Sequence, residues 1–139
     1  MAANPMPRPV AKTYLLDTSA LFAFIEDEDG ADRVEEILRS KKVILPFVVL
    51  MEIYYVSLQE QGEEAALQRY AQVKNLNAEG IDTVPESVLL RAGRFKAMHR
   101  VSFADALIAS FAGERGAVLV HKDPEYLALK EEILQEPLL

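Results

Sequence analysis

Hydrophobic positions along the chain follow two patterns: short unbroken aliphatic runs, and longer stretches in which apolar residues recur at helical spacing. Tyr14 to Leu16, Val43 to Leu45 and Ala117 to Val120 are the clearest runs and are expected to be strands, with Ile81 to Val84 and Ile133 to Leu134 as weaker candidates. Between them, Ala31 to Ser40 places Val34, Ile37 and Leu38 on one face and Asp32, Arg33, Glu35 and Glu36 largely elsewhere, as an amphipathic helix does. Phe47 to Gln61 is apolar nearly all round and predicts a buried helix. Gly62 separates it from Glu63 to Leu76, whose apolar face runs through Leu67, Tyr70 and Val73. Glu86 to His99 follows Pro85 and is expected to bury Val88, Ala92 and Phe95. Phe103 to Arg115 has Ser102 as its N-cap and Gly116 as its stop. Strands alternating with helices predict an α/β domain on a parallel sheet.

Length and composition narrow this picture. A chain of 139 residues has room for one full core, so a single domain is expected over residues 13–139, after a flexible, proline-rich tail over 1–12. Half of the residues are hydrophobic (50%) and 27% are charged, which excludes a disordered chain. There is no cysteine, so disulfides, thiolate metal sites and cysteine nucleophiles are all excluded, in keeping with a reducing cytoplasm. No run approaches the roughly 18 apolar residues that a membrane span needs, and the tail lacks the apolar middle of a signal peptide. The net charge of −7 argues against attraction of nucleic acid to the whole surface, so any contact with RNA must be local.

The candidate chemistry lies in acids that stand alone in core-forming sequence. Asp17 is the only charge in TYLLDTSALFAFI, Glu52 the only one in VILPFVVLMEIYYVSLQ, and Asp105 the only one in VSFADALIASFAG. An ionised carboxylate in apolar surroundings costs several kcal/mol unless it finds a donor, a cation or a proton, and no local partner is present. In an open parallel sheet ligands gather at the carboxyl ends of the strands, and the acids map to that edge. Asp17 follows the first strand and Asp123 the Ala117 to Val120 strand, while Glu52 and Asp105 lie in the opening turns of helices that could face the same rim. Two carboxylates about 5 Å apart repel by roughly 3 kcal/mol at an effective dielectric near 20, and a divalent cation relieves this. All-oxygen ligands favour magnesium or manganese over zinc, and histidines only at 99 and 121 do not make a histidine-rich zinc site. Such an ion hydrolyses a phosphodiester without a protein nucleophile.

Each acid also has a plain structural reading. Asp17 before TSALF fits a helix N-cap, Asp-Pro-Glu at 123 to 125 fits an N-cap followed by an N1 proline and a first-turn acid, and Ser102 with Asp105 fits a capping box. Glu52 has no such reading. His99 and His121 are expected as surface or strand-end residues, and Tyr54 and Tyr55 as packing residues. Glu26 to Asp29 is expected to be a solvated loop. Arg91, Arg94, Lys96 and Arg100 crowd just ahead of Asp105, and Lys122 adjoins Asp123. Of these, Arg94, Arg100 and Lys122 are the candidates for phosphate contacts, with a solvated helix face as the alternative.

The order LLDTSAL, MEIYY, FADALIA and VHKDPEY resembles the PIN domain, in the short single-domain form similar to VapC toxins of toxin-antitoxin pairs. The resemblance runs from about Thr13 to Leu134. It implies a three-layer α/β/α sandwich with a central, mainly parallel sheet of four to five strands. It also implies cleavage of single-stranded RNA by metal-activated water, with Mg2+ or Mn2+ as cofactor. Frequent homodimers and inhibition by a small antitoxin whose tail occupies the acidic groove belong to the same family picture. Carried onto this sequence, Asp17, Glu52 and Asp105 are the three core acids, Asp123 the more variable fourth, and Ser19 the hydroxyl two residues after the first acid. His121 stands where PIN proteins usually have serine or threonine, so that hydroxyl's role does not carry over. An RNA-processing PIN nuclease and an inactive PIN protein-binding module are alternatives. A phosphoaccepting receiver module is a remote one, because Asp17 has no acidic neighbour.

Overall fold

The computed structural model describes residues 12–138. The tail expected over residues 1–12 lies, apart from Lys12, outside the described residues. The elements run β1 (Thr13–Leu16), α1 (Thr18–Ile25), α2 (Ala31–Ser40), β2 (Lys42–Pro46), α3 (Phe47–Gln61), α4 (Glu63–Lys74), β3 (Glu79–Ile81), α5 (Glu86–Met98), α6 (Phe103–Arg115), β4 (Val118–His121), a 3-10 helix (Pro124–Leu129) and β5 (Gln135–Pro137).

The strands form one five-stranded sheet in the order β3-β2-β1-β4-β5. Every neighbouring pair is parallel. Parallel crossovers are right-handed almost without exception. The β1-to-β2 and β2-to-β3 connections therefore lie on one face. The chain then reverses direction across the sheet, so the helices leading to β4 lie on the other, and a three-layer α/β/α sandwich results. The reversal leaves a switch point between β1 and β4, where a crevice opens at the carboxyl ends of the strands. Leu16 pairs with Val120 there, and the Asp17 amide donates to the Val120 carbonyl at 3.0 Å. Receiver modules order their strands β2-β1-β3-β4-β5, so this sheet is not theirs.

The central strands coincide with the aliphatic runs because they are covered on both faces: Leu15, Leu16, Ile44, Leu119 and Val120 are all buried. The two edge strands fall elsewhere than expected. β3 begins at Glu79 rather than Ile81, and β5 at Gln135 rather than Ile133. Edge strands are short and half solvated, so they carry Glu79, Gln135 and Glu136 instead of an apolar run. Ile133 instead packs into the core from the turn that closes the 3-10 helix, its amide donating to the Leu129 carbonyl.

Helix boundaries match the punctuation residues closely. Ser102 caps α6 by accepting from the Asp105 amide, and Gly116 stops the helix with φ of 59°, a left-handed conformation that suits glycine. Two burial expectations need correction. α3 is not buried all round, since Met51 (55% exposed), Tyr55 and Leu58 face outward. It packs with α4 as a helical hairpin. On α4 the inward residues are Ala66 and Val73, and Leu67 points away from the core. On α5, Val88 and Phe95 are buried as expected, whereas Ala92 is only partly so. Among the described residues no helix is long and apolar enough to cross a membrane.

Candidate metal centre

Asp17 leaves the end of β1 and caps α1. Its Oδ2 accepts from the Ser19 amide at 3.0 Å and from Ser19 Oγ at 2.7 Å. Ser19 Oγ in turn accepts from the Lys122 amide at 2.9 Å, which ties the segment after β1 to the segment after β4. Asp17 is 2% exposed, and its other oxygen, Oδ1, accepts from Tyr126 Oη at 2.6 Å.

Asp105 enters from the opposite side, on the first turn of α6. It is 7% exposed, and its Oδ1 lies 3.0 Å from the same Tyr126 hydroxyl. Asp123 caps the 3-10 helix, with Oδ1 accepting from the Glu125 amide at 2.9 Å. Asp105, Asp123 and Glu125 each offer a carboxylate oxygen, and these oxygens all lie within 4.8 Å of one another. Glu52, half-buried on α3, is not part of that tight trio. Its Oε1 accepts from Thr18 Oγ1 at 2.7 Å, one residue beyond Asp17.

The acids act on one another electrostatically. Burial first, then the nearby Glu125, Asp17 and Asp123, together push the Asp105 carboxyl up to about 9 against the opposing Tyr126 hydroxyl. Burial also raises Glu52; Thr18 opposes the shift, and the charges of Asp17 and Asp123 add to it. The Tyr126 phenol is driven far above its ordinary value, first by burial and then by the charges of Asp17 and Asp105. Among the described residues no lysine or arginine hydrogen-bonds or ion-pairs with Asp17, Glu52, Asp105, Asp123 or Glu125.

The PIN-domain family model matches residues 14–132. This chain belongs to the PIN-domain family. Among solved structures, the fold is similar to VapBC2 of Rickettsia felis bound to a DNA fragment from its promoter. That match has 18% identity and a TM-score of 0.75, and covers 91% of this chain and 99% of that one. DNA-bound VapBC of Salmonella typhimurium matches at 22% identity and a TM-score of 0.70, over 92% of this chain and 98% of that one. VapC20 of Mycobacterium tuberculosis, described as a sarcin-ricin loop cleaving toxin, matches at 19% identity and a TM-score of 0.67, over 83% of this chain and 93% of that one. No curated protein matches by sequence.

The departure at His121 from the usual PIN pattern has a visible consequence. His121 is a strand-end residue but not a surface one, being 1% exposed. Its Nδ1 faces the Asp123 amide at 3.2 Å, and its Nε2 faces Gln135 Oε1 at 2.8 Å. The amide can only donate, so Nδ1 must accept and the ring proton sits on Nε2. The imidazole thus holds the Asp123 turn, a task distinct from catalysis.

The basic candidates are not gathered at the acids. Lys122 Nζ donates to the Asp29 carbonyl at 2.9 Å, and Arg94 borders a small surface cavity with Met98, His99 and Glu132. Arg100 is exposed beyond the end of α5. Arg91 pairs with Glu114, and Lys96 caps the Val101 carbonyl. Two residues of this PIN domain that pattern reasoning passed over stand inside the cluster, Glu125 and Tyr126. Glu125 carries the signal of a first-turn acid, and Tyr126 that of a core aromatic; neither signal points to a site.

The donor set fits a hard divalent cation. Every ligand atom is a carboxylate oxygen, the separations within the trio suit a shared ion, and among the described residues no arginine or lysine pairs with these acids. The chain has no cysteine thiolate to offer, and the one histidine at this rim has both ring nitrogens engaged.

Proposed function

We propose that this PIN-domain protein is an endoribonuclease dependent on magnesium or manganese. Asp17, Glu52, Asp105 and Asp123 are its site carboxylates, and it is the toxin of a toxin-antitoxin pair. The observation that carries this reading is the convergence of uncompensated carboxylates on the switch point between β1 and β4. Burial and mutual repulsion make that convergence costly for folding alone, and a cation removes the cost.

Asp105 and Asp123 would hold the ion most directly, with Asp17 and Glu52 completing the acidic rim. When bound, the ion would lower the pKa of a water and screen the negative charge of the scissile phosphate. The chain's own residues perform the positioning. Ser19 orients Asp17 through two donors, Thr18 orients Glu52, and the Asp123 carboxylate is held by the cap of the 3-10 helix. The solved complexes similar in fold pair a VapC chain with an antitoxin, which supports a small antitoxin as partner. Single-stranded RNA as substrate, a homodimeric assembly, a single nuclease domain over 13–139 and a cytoplasmic setting belong to the same proposal.

The test is a cleavage assay on structured and unstructured RNAs with Mn2+, Mg2+ or chelator. Cleavage that requires the ion and is lost in Glu52→Gln and Asp105→Asn is expected. Undiminished cleavage in both variants would defeat the assignment, and folded protein without any cleavage would favour an inactive binding module.

A further inference from the structure

Tyr126 is wholly buried, and a phenylalanine would fill the same volume, so its hydroxyl is the informative atom. A buried tyrosine hydroxyl needs a partner, and the single proton of this one is shared between two acceptors, Asp17 Oδ1 at 2.6 Å and the more distant Asp105 Oδ1 at 3.0 Å. Those carboxylates arrive on separate elements, one after β1 and one on α6. No other side chain among the described residues hydrogen-bonds to both.

The hydroxyl is itself held in place. The Tyr126 carbonyl accepts from Gln135 Nε2 at 2.8 Å, and Gln135 Oε1 engages His121 Nε2 at 2.8 Å. The tyrosine ring packs on the His121 ring with centroids 4.8 Å apart. Its amide donates to the Asp123 carbonyl at 3.3 Å. Edge strand β5 therefore braces the 3-10 helix that delivers both Asp123 and the Tyr126 hydroxyl to the rim.

Lone pairs decide what is left for a cation. Asp17 Oδ2 already accepts two hydrogen bonds from Ser19, whereas Oδ1 accepts one from Tyr126 and keeps a lone pair. With Ser19 on one oxygen and Tyr126 on the other, the carboxylate plane is restrained from rotating.

We infer that Tyr126 is a positioning residue: its hydroxyl bridges Asp17 and Asp105 and fixes the direction in which their Oδ1 atoms present to a shared divalent cation. The inference rests on the metal-centre reading above. Groups that hydrogen-bond to metal ligands typically govern affinity by about 10–100-fold.

The test is Mn2+ binding by the full chain, measured by calorimetric titration and by the electron paramagnetic resonance spectrum of the bound ion. Tyr126→Phe is compared with Leu129→Val, a change in a buried residue of the same 3-10 helix whose apolar side chain has no hydrogen bond to give the acids. Tyr126→Phe is expected to weaken Mn2+ binding by about tenfold or more and to alter the spectrum of the bound ion. Leu129→Val is expected to lower Tm and leave affinity within about twofold of wild type. Wild-type affinity in Tyr126→Phe, or equal losses in the two variants, would overturn the positioning role while leaving the metal centre standing. A wild-type protein that binds no Mn2+ would overturn both.

Discussion

A half-exposed carboxylate and a group of more deeply enclosed ones meet opposite fates in this protein. On the β5 side, Glu136 is clasped by Arg33 of α2 through two parallel hydrogen bonds of 2.8 and 2.9 Å, and the guanidinium holds its carboxyl below the ordinary range. At the β1 and β4 rim, Asp105 is more deeply enclosed, 7% exposed, yet among the described residues it faces other acids and a phenol rather than a cation, and its carboxyl is pushed up to about 9. The fold can supply an arginine to a carboxylate that needs one. It does so at an outer edge of the sheet and withholds one at the switch point, where charge is left over for a ligand.

Breaking the rim should have the largest effect. Asp105→Asn is expected to reduce RNA cleavage by about 10³-fold or more, equivalent to ~4 kcal/mol of lost transition-state stabilisation. Initial rates at saturating Mn2+ would measure this.

Acidity should come next. Between its ordinary value of 3.8 and about 9, the Asp105 carboxyl binds a proton in the folded protein that it would release in the unfolded one. The metal-free protein is therefore favoured at low pH, and stability falls as pH rises toward 9. An ion must displace that proton, so Mn2+ affinity should rise with pH by up to about tenfold per unit below that value. Titrations at pH 6, 7 and 8 would check the slope, and the chelated protein should lose melting temperature over the same range.

Thr18→Val removes the 2.7 Å hydrogen bond to Glu52 without changing side-chain shape. Affinity for Mn2+ is expected to fall by about tenfold, read by the same titration. The smallest effect belongs to the compensated group. Arg33→Ala, at a pair whose side chains are 33% and 31% exposed, should cost about 1 kcal/mol, or roughly 4 °C in Tm, and leave Mn2+ affinity unchanged. If Arg33→Ala altered affinity as strongly as Thr18→Val does, the two carboxylate groups would not be independent.

Much of this contrast is visible in the amino-acid order. Leu15, Ile44 and Leu119 mark the central strands because both faces of those strands are covered, and Pro85, Ser102 and Gly116 mark helix limits through backbone constraints. Isolation among apolar neighbours distinguishes Asp17, Glu52 and Asp105 in the sequence alone. Edge strands β3 and β5 were harder to place because half-solvated strands have no reason to be aliphatic. The outward side of α3 was also hidden, since Met51 and Tyr55 look like core residues until the packing of the helical hairpin is known.

Tyr126, Glu125 and His121 are inconspicuous in the sequence for a different reason. Tyr126 lies 109 residues from Asp17 and 21 from Asp105, and nothing near it in the chain distinguishes a hydroxyl with acidic partners from an ordinary buried ring. Glu125 truly does sit in the first turn of a helix, so the local explanation of its charge was correct and incomplete. His121 gains its role from Gln135, which belongs to the edge strand that hydrophobic pattern did not locate.

The account turns on whether uncompensated carboxylates at the switch point await a cation, and thermal melts of wild type and Asp105→Asn at pH 8, each with Mn2+ and with chelator, test it most directly. Asparagine mimics the protonated acid, so the chelated variant should melt no lower than the chelated wild type, and Mn2+ should raise the Tm of the wild type alone. A variant that melts well below wild type in chelator, with Mn2+ shifting both proteins equally or neither, would contradict it.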